Sequence, residues 1–255
     1  MKIISLNLWG GKVYNRLEGF IKARAPTTDV FCFQELFDGD PKLSPGQIAA
    51  TKKYAGVNND DVYDLASRID DTLLPRFNRV ISRPYSELGN RLGIFYSKRL
   101  PVFAAGEVDI ADPVEQEIDG AKSAIGAKMQ WVSVDGYGVI AHCHGIWQMG
   151  GKDDTPERLM QSRRLVVMLE TFPGEKILVG DFNLNPDTKS VAILSKKMRN
   201  LIAEYGVKTT RSNLALPSKG KIADYAFVTA GVKVKEFQVL SDVVSDHLPI
   251  YLETG

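Results

Sequence analysis

Residues 176–186 read Lys-Ile-Leu-Val-Gly-Asp-Phe-Asn-Leu-Asn-Pro, and the change of character at Asp181 organises the rest of the chain. Ile177, Leu178 and Val179 are apolar without alternation, the pattern of a strand covered on both faces. Such a strand belongs to a layered architecture, with helices or a second sheet on either side. At its end, Asp181 and Asn183 put two polar groups on one side of the exit, a spacing that an Asx-turn also produces. A carboxylate emerging from a buried strand is costly unless something compensates it, so the exit is a candidate ligand site.

On both sides of this strand, short β-rich runs alternate with helical patterns. Ile3 to Leu8 and Val30 to Gln34 read as strands, with a helix from Asn15 to Arg24 between them carrying Leu17, Phe20 and Ile21 on one face. Asp60 to Leu74 reads as a helix halted by Pro75. A strand-dense middle follows, at 78–83, 93–97, 102–109, 124–134 and 139–144, with the hairpin signal Asp135-Gly136 before the last. Thr155-Pro156-Glu157 opens a helix with an N-cap, a proline in its first position and an early acid, and Leu159, Val166 and Leu169 recur at helical spacing. Asp187 is read as capping a further helix through Met198, and strands at 223–229, 232–240 and 250–253 close the chain. No repeat or linker divides it, so one domain over residues 1–255 is expected. Two sheets packed face to face satisfy this pattern, and so does a single large mixed sheet.

Composition excludes several classes. With 44% hydrophobic and 25% charged residues, disorder is not the expectation. Two cysteines, Cys32 and Cys143, both lie in apolar runs and give no disulfide framework. The net charge of +1 supplies no broad footprint for nucleic acid, although a local basic cleft is compatible with it. The first apolar run is too short for a signal peptide, and no stretch reaches the ~20 apolar residues that span a bilayer. A cytoplasmic monomer without a membrane-spanning segment is expected.

Four polar signals share one placement, the end of an apolar strand: Asn7 in SLNLWG, Glu35 in CFQEL, Asp181 with Asn183, and Asp246-His247 in SDHLPI. Singly, each is a turn former or a solvated charge. Together they point to convergence on one cleft, and oxygen ligands without a His/Cys cluster suit a hard cation, Mg²⁺ or Mn²⁺, rather than zinc.

In order and spacing these motifs resemble the endonuclease/exonuclease/phosphatase superfamily, the DNase I-like proteins. The resemblance spans nearly the whole chain: Asn7, Gln34-Glu35, GIFYSKRLP from Gly93, VIAHCHG with His144 at the family's histidine position, Arg158 and Gln161, GDFN, IADYAFV around Asp224, and SDH at 245–247. It implies a four-layer α/β sandwich, two mixed β-sheets face to face with helices outside, and a metal-dependent hydrolase of phosphate esters. It also implies roles. Glu35 is the principal metal ligand, with Asn7 and Asp246 beside it. Asp181 positions and deprotonates the attacking water, while Asn183 holds the nucleophile or a phosphate oxygen. His247, oriented by Asp224, and His144 contact the phosphate. A metal and protonated imidazoles neutralise the charge that grows on phosphate oxygens.

Some residues carry two readings. His142 shares a strand face with His144, as a second functional imidazole or as a hydrogen-bonded buried one. Trp147 is a stacking surface for a base or a loop anchor. Arg158 reaches a phosphate, braces the His144 loop, or sits on a solvated face. Lys52-Lys53, Arg163-Arg164 and Lys196-Lys197 read as exposed faces. Exonuclease III-type abasic endonucleases carry a tyrosine at the His144 position, so the segment His142-Cys143-His144-Gly145 departs from that subfamily. A nucleic-acid phosphodiesterase is the leading expectation. A phosphoesterase on a lipid headgroup or inositol phosphate, and a catalytically inactive binding scaffold, are the alternatives.

Overall fold

The computed structural model describes residues 1–38, 64–86, 89–118, 121–217 and 220–255; Lys52-Lys53 and the expected first turn of the helix at 60–63 lie outside them. Among the described residues two six-stranded sheets are packed face to face. The first contains β1 (Lys2–Asn7), β2 (Val30–Leu36), β3 (Phe77–Ile81), β4 (Arg91–Ser97), β11 (Val234–Val239) and β12 (Ile250–Thr254), in the order β11-β12-β1-β2-β4-β3. The second contains β5 (Val102–Ile118), β6 (Ala121–Val134), β7 (Gly138–His144), β8 (Glu175–Asp181), β9 (Arg199–Asn200) and β10 (Asp224–Val228), in the order β5-β6-β7-β8-β10-β9. Both are mixed: β1–β2 and β7–β8 run parallel, their neighbours antiparallel.

Side-chain alternation builds the layers. Ile4, Leu6, Phe31 and Phe33 turn outward against Leu17, Phe20 and Ile21 of α1 (Tyr14–Arg24) and Leu65, Ile69 and Leu73 of α2 (Leu65–Leu73). Ile3, Val30 and Cys32 turn to the other face, into one core with the second sheet and with Leu165 and Leu169 of α3 (Pro156–Glu170) and Val191 and Leu194 of α4 (Lys189–Ser195). The short α5 (Leu201–Glu204) completes that side. The open choice between one sheet and two is therefore settled as the four-layer sandwich. Ile177, Leu178 and Val179 are fully buried at its centre, as their unbroken apolarity requires.

Three readings change. The helix expected from Asp187 runs only over Lys189–Ser195, because Thr188 is the cap, its Oγ1 accepting from Val191 N, and Asp154 takes the next free donors, Lys189 N and Ser190 N. The β5–β6 hairpin is longer than its apolar pattern, since register shifts around Asp109 to Val114 break the alternation. The inward face of α3 is partly polar: Arg158, Gln161 and Ser162 are buried with Leu165 and Leu169. Thr155 Oγ1 accepts from Arg158 N, as the cap reading expects. No helix among the described residues is long and apolar enough to cross a membrane.

Candidate active site

The parallel pairs β1–β2 and β7–β8 end on the same side of the sandwich, and the site is built there. In register, Asn7 stands beside Gln34, His144 beside Asp181, and Asp181 beside Asp224 at the start of β10. His247 comes from the turn before β12.

Consecutive strand residues normally face opposite ways, yet both Gln34 and Glu35 reach the second sheet. A β-bulge resolves this. The β2–β4 register passes from Phe33↔Gly93 to Leu36↔Arg91, so two β2 residues oppose one. Glu35 has a left-handed backbone, φ 54°. Asn183 (φ 52°) and Trp9 (φ 51°) share that uncommon conformation. Backbone strain is therefore concentrated where the polar groups meet.

Asn7 Nδ2 donates to Glu35 Oε1 at 2.9 Å and to Asp181 Oδ2 at 3.1 Å, bridging two carboxylates that would otherwise repel. His144 Nε2 lies 3.4 Å from Glu35 Oε1 and 3.9 Å from Asp181 Oδ2, at ion-pair distance without hydrogen-bond alignment. Both its ring nitrogens are thus buried without a hydrogen-bond partner among the described residues. His247 Nδ1 is 2.9 Å from both oxygens of Asp224, and its Nε2 is 3.5 Å from Asp181 Oδ2. Asp246 Oδ2 accepts from the Arg211 guanidinium at 2.9 Å, and the same guanidinium nitrogen touches His247 Nε2.

These contacts set the charges. Burial works against ionisation of Glu35, but the His144 imidazole, the Asn7 donor and His247 outweigh it and hold the carboxyl at about 2. Burial likewise opposes Asp181, and His247, Lys152, His144 and Arg211 keep it well below the usual carboxylate range. For His247, burial and Arg211 favour the neutral ring, yet Asp224, Asp246 and Asp181 prevail and raise its pKa. Asp181, Asp224 and His247 each offer a ligand atom within 4.8 Å of the others. This buried acidic and imidazole group has the chemistry to hold a divalent cation.

The family model described as "Endonuclease/Exonuclease/phosphatase family" matches residues 4–247, a span that contains every one of these groups. The chain belongs to that family. Its members are hydrolases of phosphate esters and generally depend on a divalent metal. Solved structures with the same fold include a mannosyl-6-phosphatase of Bacteroides thetaiotaomicron (18% identity, TM-score 0.68, 100% of this chain and 99% of that one). The human Nocturnin catalytic domain with bound sulfate is similar at 14% identity, with a TM-score of 0.64 and coverage of 100% and 93%. The D. rerio TDP2 complexed with single-stranded DNA product is similar at 17% identity, with a TM-score of 0.65 and coverage of 100% and 98%. No curated protein sequence matches the chain.

Around this family core, the remaining expected residues take up supporting positions. Asp181 Oδ1 accepts from Asn183 N at 2.9 Å, so the Asx-turn is present, and Asn183 Nδ2 donates to Gly145 O, tying the β8 exit to the His144 loop. Gly145 itself is required there, because a Cβ would stand 2.1 Å from Phe182 O. Arg158 is turned away from solvent and donates to the carbonyls of Gly151 (2.5 Å) and Asp153 (2.7 Å), which is the bracing geometry. Gln161 braces the same region, its Oε1 accepting from Ile146 N and its Nε2 donating to Phe182 O. Trp147 is half-buried, its carbonyl accepting from Gln116 of the long hairpin. His142 sits in a closed chain: Gln34 Nε2 donates to its Nδ1, its Nε2–H donates to Gln130 Oε1, and Gln130 Nε2 reaches Val80 O. With both nitrogens occupied and burial holding its pKa at about 3, this ring is a neutral link between the sheets.

Sequence reasoning missed three residues. Tyr85 stacks on His144 (centroids 4.9 Å apart, planes at 20°), and its hydroxyl accepts from Glu35 N at 3.2 Å. Arg211 contacts Asp246 and His247, and Lys152 is a buried ammonium whose field acts on Asp181. All three lie in loops that carry no periodic or motif signal.

Proposed function

We propose that this protein is a Mg²⁺-dependent hydrolase of phosphodiester bonds whose substrate is nucleic acid. The observation that carries the hydrolase reading is the junction of Glu35, Asn7, Asp181, His144 and the Asp224–His247 pair in one cleft at the strand ends. Glu35 is ionised and its side chain is 28% exposed. It fits a hard cation, since an oxygen ligand suits Mg²⁺ or Mn²⁺. Asn7 and Asp181 stand next to it. Asp246 fits less well as a direct ligand, since Arg211 occupies its Oδ2. A divalent cation held by Glu35, with Asn7 and Asp181 beside it, would supply Lewis-acid polarisation of a phosphate oxygen.

The chain's own residues do the remainder. Asp181, buried beside Asn7 and His247, positions the attacking water as a hydrogen-bond acceptor and takes its proton. Asp224 accepts from His247 Nδ1, which fixes the ring; Nε2, which meets the Arg211 guanidinium in this structure, donates to a phosphate oxygen once the ring is protonated and that contact is exchanged for the substrate. His144, whose nitrogens make no hydrogen bond among the described residues and whose Nε2 lies 3.4 Å from Glu35 Oε1, offers a second imidazole to the same oxygens. Asn183 holds the loop that presents His144.

Nucleic acid is favoured by Trp147, a half-buried aromatic ring three residues after His144 in the chain, as a surface on which a base stacks. The near-neutral net charge favours the second reading, a phosphoester on an inositol or lipid headgroup. Parallel assays with Mg²⁺ on single-stranded DNA, duplex DNA, RNA, sphingomyelin and inositol polyphosphates separate them. Nucleic-acid cleavage that disappears in His247→Ala supports the leading reading. Turnover confined to the lipid or inositol substrates replaces it with the second, and no turnover in any arm points to a binding scaffold.

A further inference from the structure

Arg211 is the residue of the cleft that its motifs leave unexplained. It is only 9% exposed, and its Nε has no hydrogen-bond partner among the described residues. One guanidinium nitrogen bridges Asp246 Oδ2 and His247 Nε2. The backbone fixes this placement: Arg211 forms an isolated β-bridge with His247, Leu248 N donates to Thr210 O, Ser212 N to Asp246 O, and Ser212 Oγ to Ser245 O. A guanidinium remains charged at every working pH.

Asp224 holds His247 Nδ1 and the Arg211 guanidinium meets the Nε2 edge of the same ring, so a fixed positive charge stands beside the imidazole, while the Arg211 Nε–H is buried without a partner among the described residues. An anion oxygen placed against the guanidinium satisfies this buried donor and meets its charge. A divalent ion held by Asp246, by contrast, would stand against a fixed positive charge in buried surroundings, a repulsion that water does not screen.

We propose that Arg211 is a substrate-binding residue that grips a non-bridging oxygen of the phosphate and supplies, on the Asp246 side, the positive charge a second metal ion provides in two-metal phosphoesterases. The cleft then works with one divalent ion, on the Glu35 side. This rests on the metal-dependent hydrolase reading above, but it is tested by binding rather than turnover.

Inorganic phosphate is titrated calorimetrically into metal-free wild type, Arg211→Ala, Arg211→Lys and Glu35→Gln, and bound Mn²⁺ is counted by its paramagnetic resonance signal. The wild type is expected to bind one Mn²⁺ per chain. Arg211→Ala is expected to bind phosphate roughly 10- to 100-fold more weakly, and Arg211→Lys to recover part of this, since it restores the charge but not the planar fork. Glu35→Gln is expected to lose Mn²⁺ yet keep phosphate binding. If Arg211→Ala fails to fold, as judged by its thermal midpoint, Arg211→Gln takes its place with the same expected loss. Two Mn²⁺ per wild-type chain, or unchanged phosphate affinity in the Arg211 variants, overturns the proposal. Failure of the hydrolase reading looks different: phosphate binds through Arg211, and no ester in the substrate panel is cleaved.

Discussion

Lowering the pH through the range where free histidine titrates is expected to destabilise the fold through His142. The ring is fully buried, with Gln34 on one nitrogen and Gln130 on the other, and burial holds its folded pKa at about 3. In the unfolded chain it titrates at about 6.5. Its folded value is depressed, so the unfolded state binds the extra proton, and the stabilisation is full above about 6.5 and lost as pH falls toward about 3. From these two values the loss at about pH 5 is roughly 2 kcal/mol, with a limiting slope of about 1.4 kcal/mol per pH unit. The lowered carboxyl of Glu35 loses its contribution only below its own ordinary value of 4.5. His247, raised in the fold, keeps its full contribution below about 6.5. Urea unfolding of the wild type and of His142→Asn at several pH values between about 7 and about 5 isolates the effect. The variant is expected to be less stable by about 1–3 kcal/mol, because Gln34 or Gln130 loses its partner, and to lack this share of the pH slope. An identical slope in both proteins would show that His142 is not held neutral between the sheets.

Glu35→Gln is expected to abolish most turnover and to remove divalent-metal binding while the thermal midpoint stays near that of the wild type; EDTA is expected to do the same reversibly, and full activity in either case sinks the assignment. Asp224→Asn leaves His247 Nδ1 without a carboxylate, and a fall in kcat of ~10²-fold or more with little change in KM is expected; an unaltered basic limb of the pH–rate profile would show that the two are uncoupled. At Tyr85, replacement by Phe removes the acceptor for Glu35 N and keeps the stack on His144, so a higher Mg²⁺ requirement with kcat largely retained at saturating metal is expected. Tyr85→Leu removes both contacts and is expected to lower kcat as well, and equal kinetics for the two variants would refute the separate roles.

Most strands and helices were legible in the amino-acid letters, whereas the choice between one mixed sheet and two was not, since the residue pattern alone fits both. Unbroken apolarity at Ile177 to Val179, the short apolar runs of β1 and β2, the Thr155 cap and the Asp135-Gly136 turn are all local signals, carried by residues adjacent along the chain. Legible too were Asn7, Glu35, His144, Asp181, Asp224, Asp246 and His247, which stand at strand ends or in the turn before β12, and these the structure draws into one contact network. The rest depends on contacts between segments distant along the chain, and it became visible only once the sheets were packed. The bulge that turns Glu35 onto the same side as Gln34 is a relation between β2 and β4. The choice between the readings of His142 turns on Gln34 and Gln130 lying 3.0 Å from its two nitrogens, which no spacing along the chain records. Tyr85, Lys152 and Arg211 belong to loops, where no periodicity marks a side chain as buried, and their charge or ring acquires meaning only from the strand ends they meet. Arg158 looks like a solvated helix residue for the same reason: its partners are backbone carbonyls of a loop, and a carbonyl has no letter in the sequence.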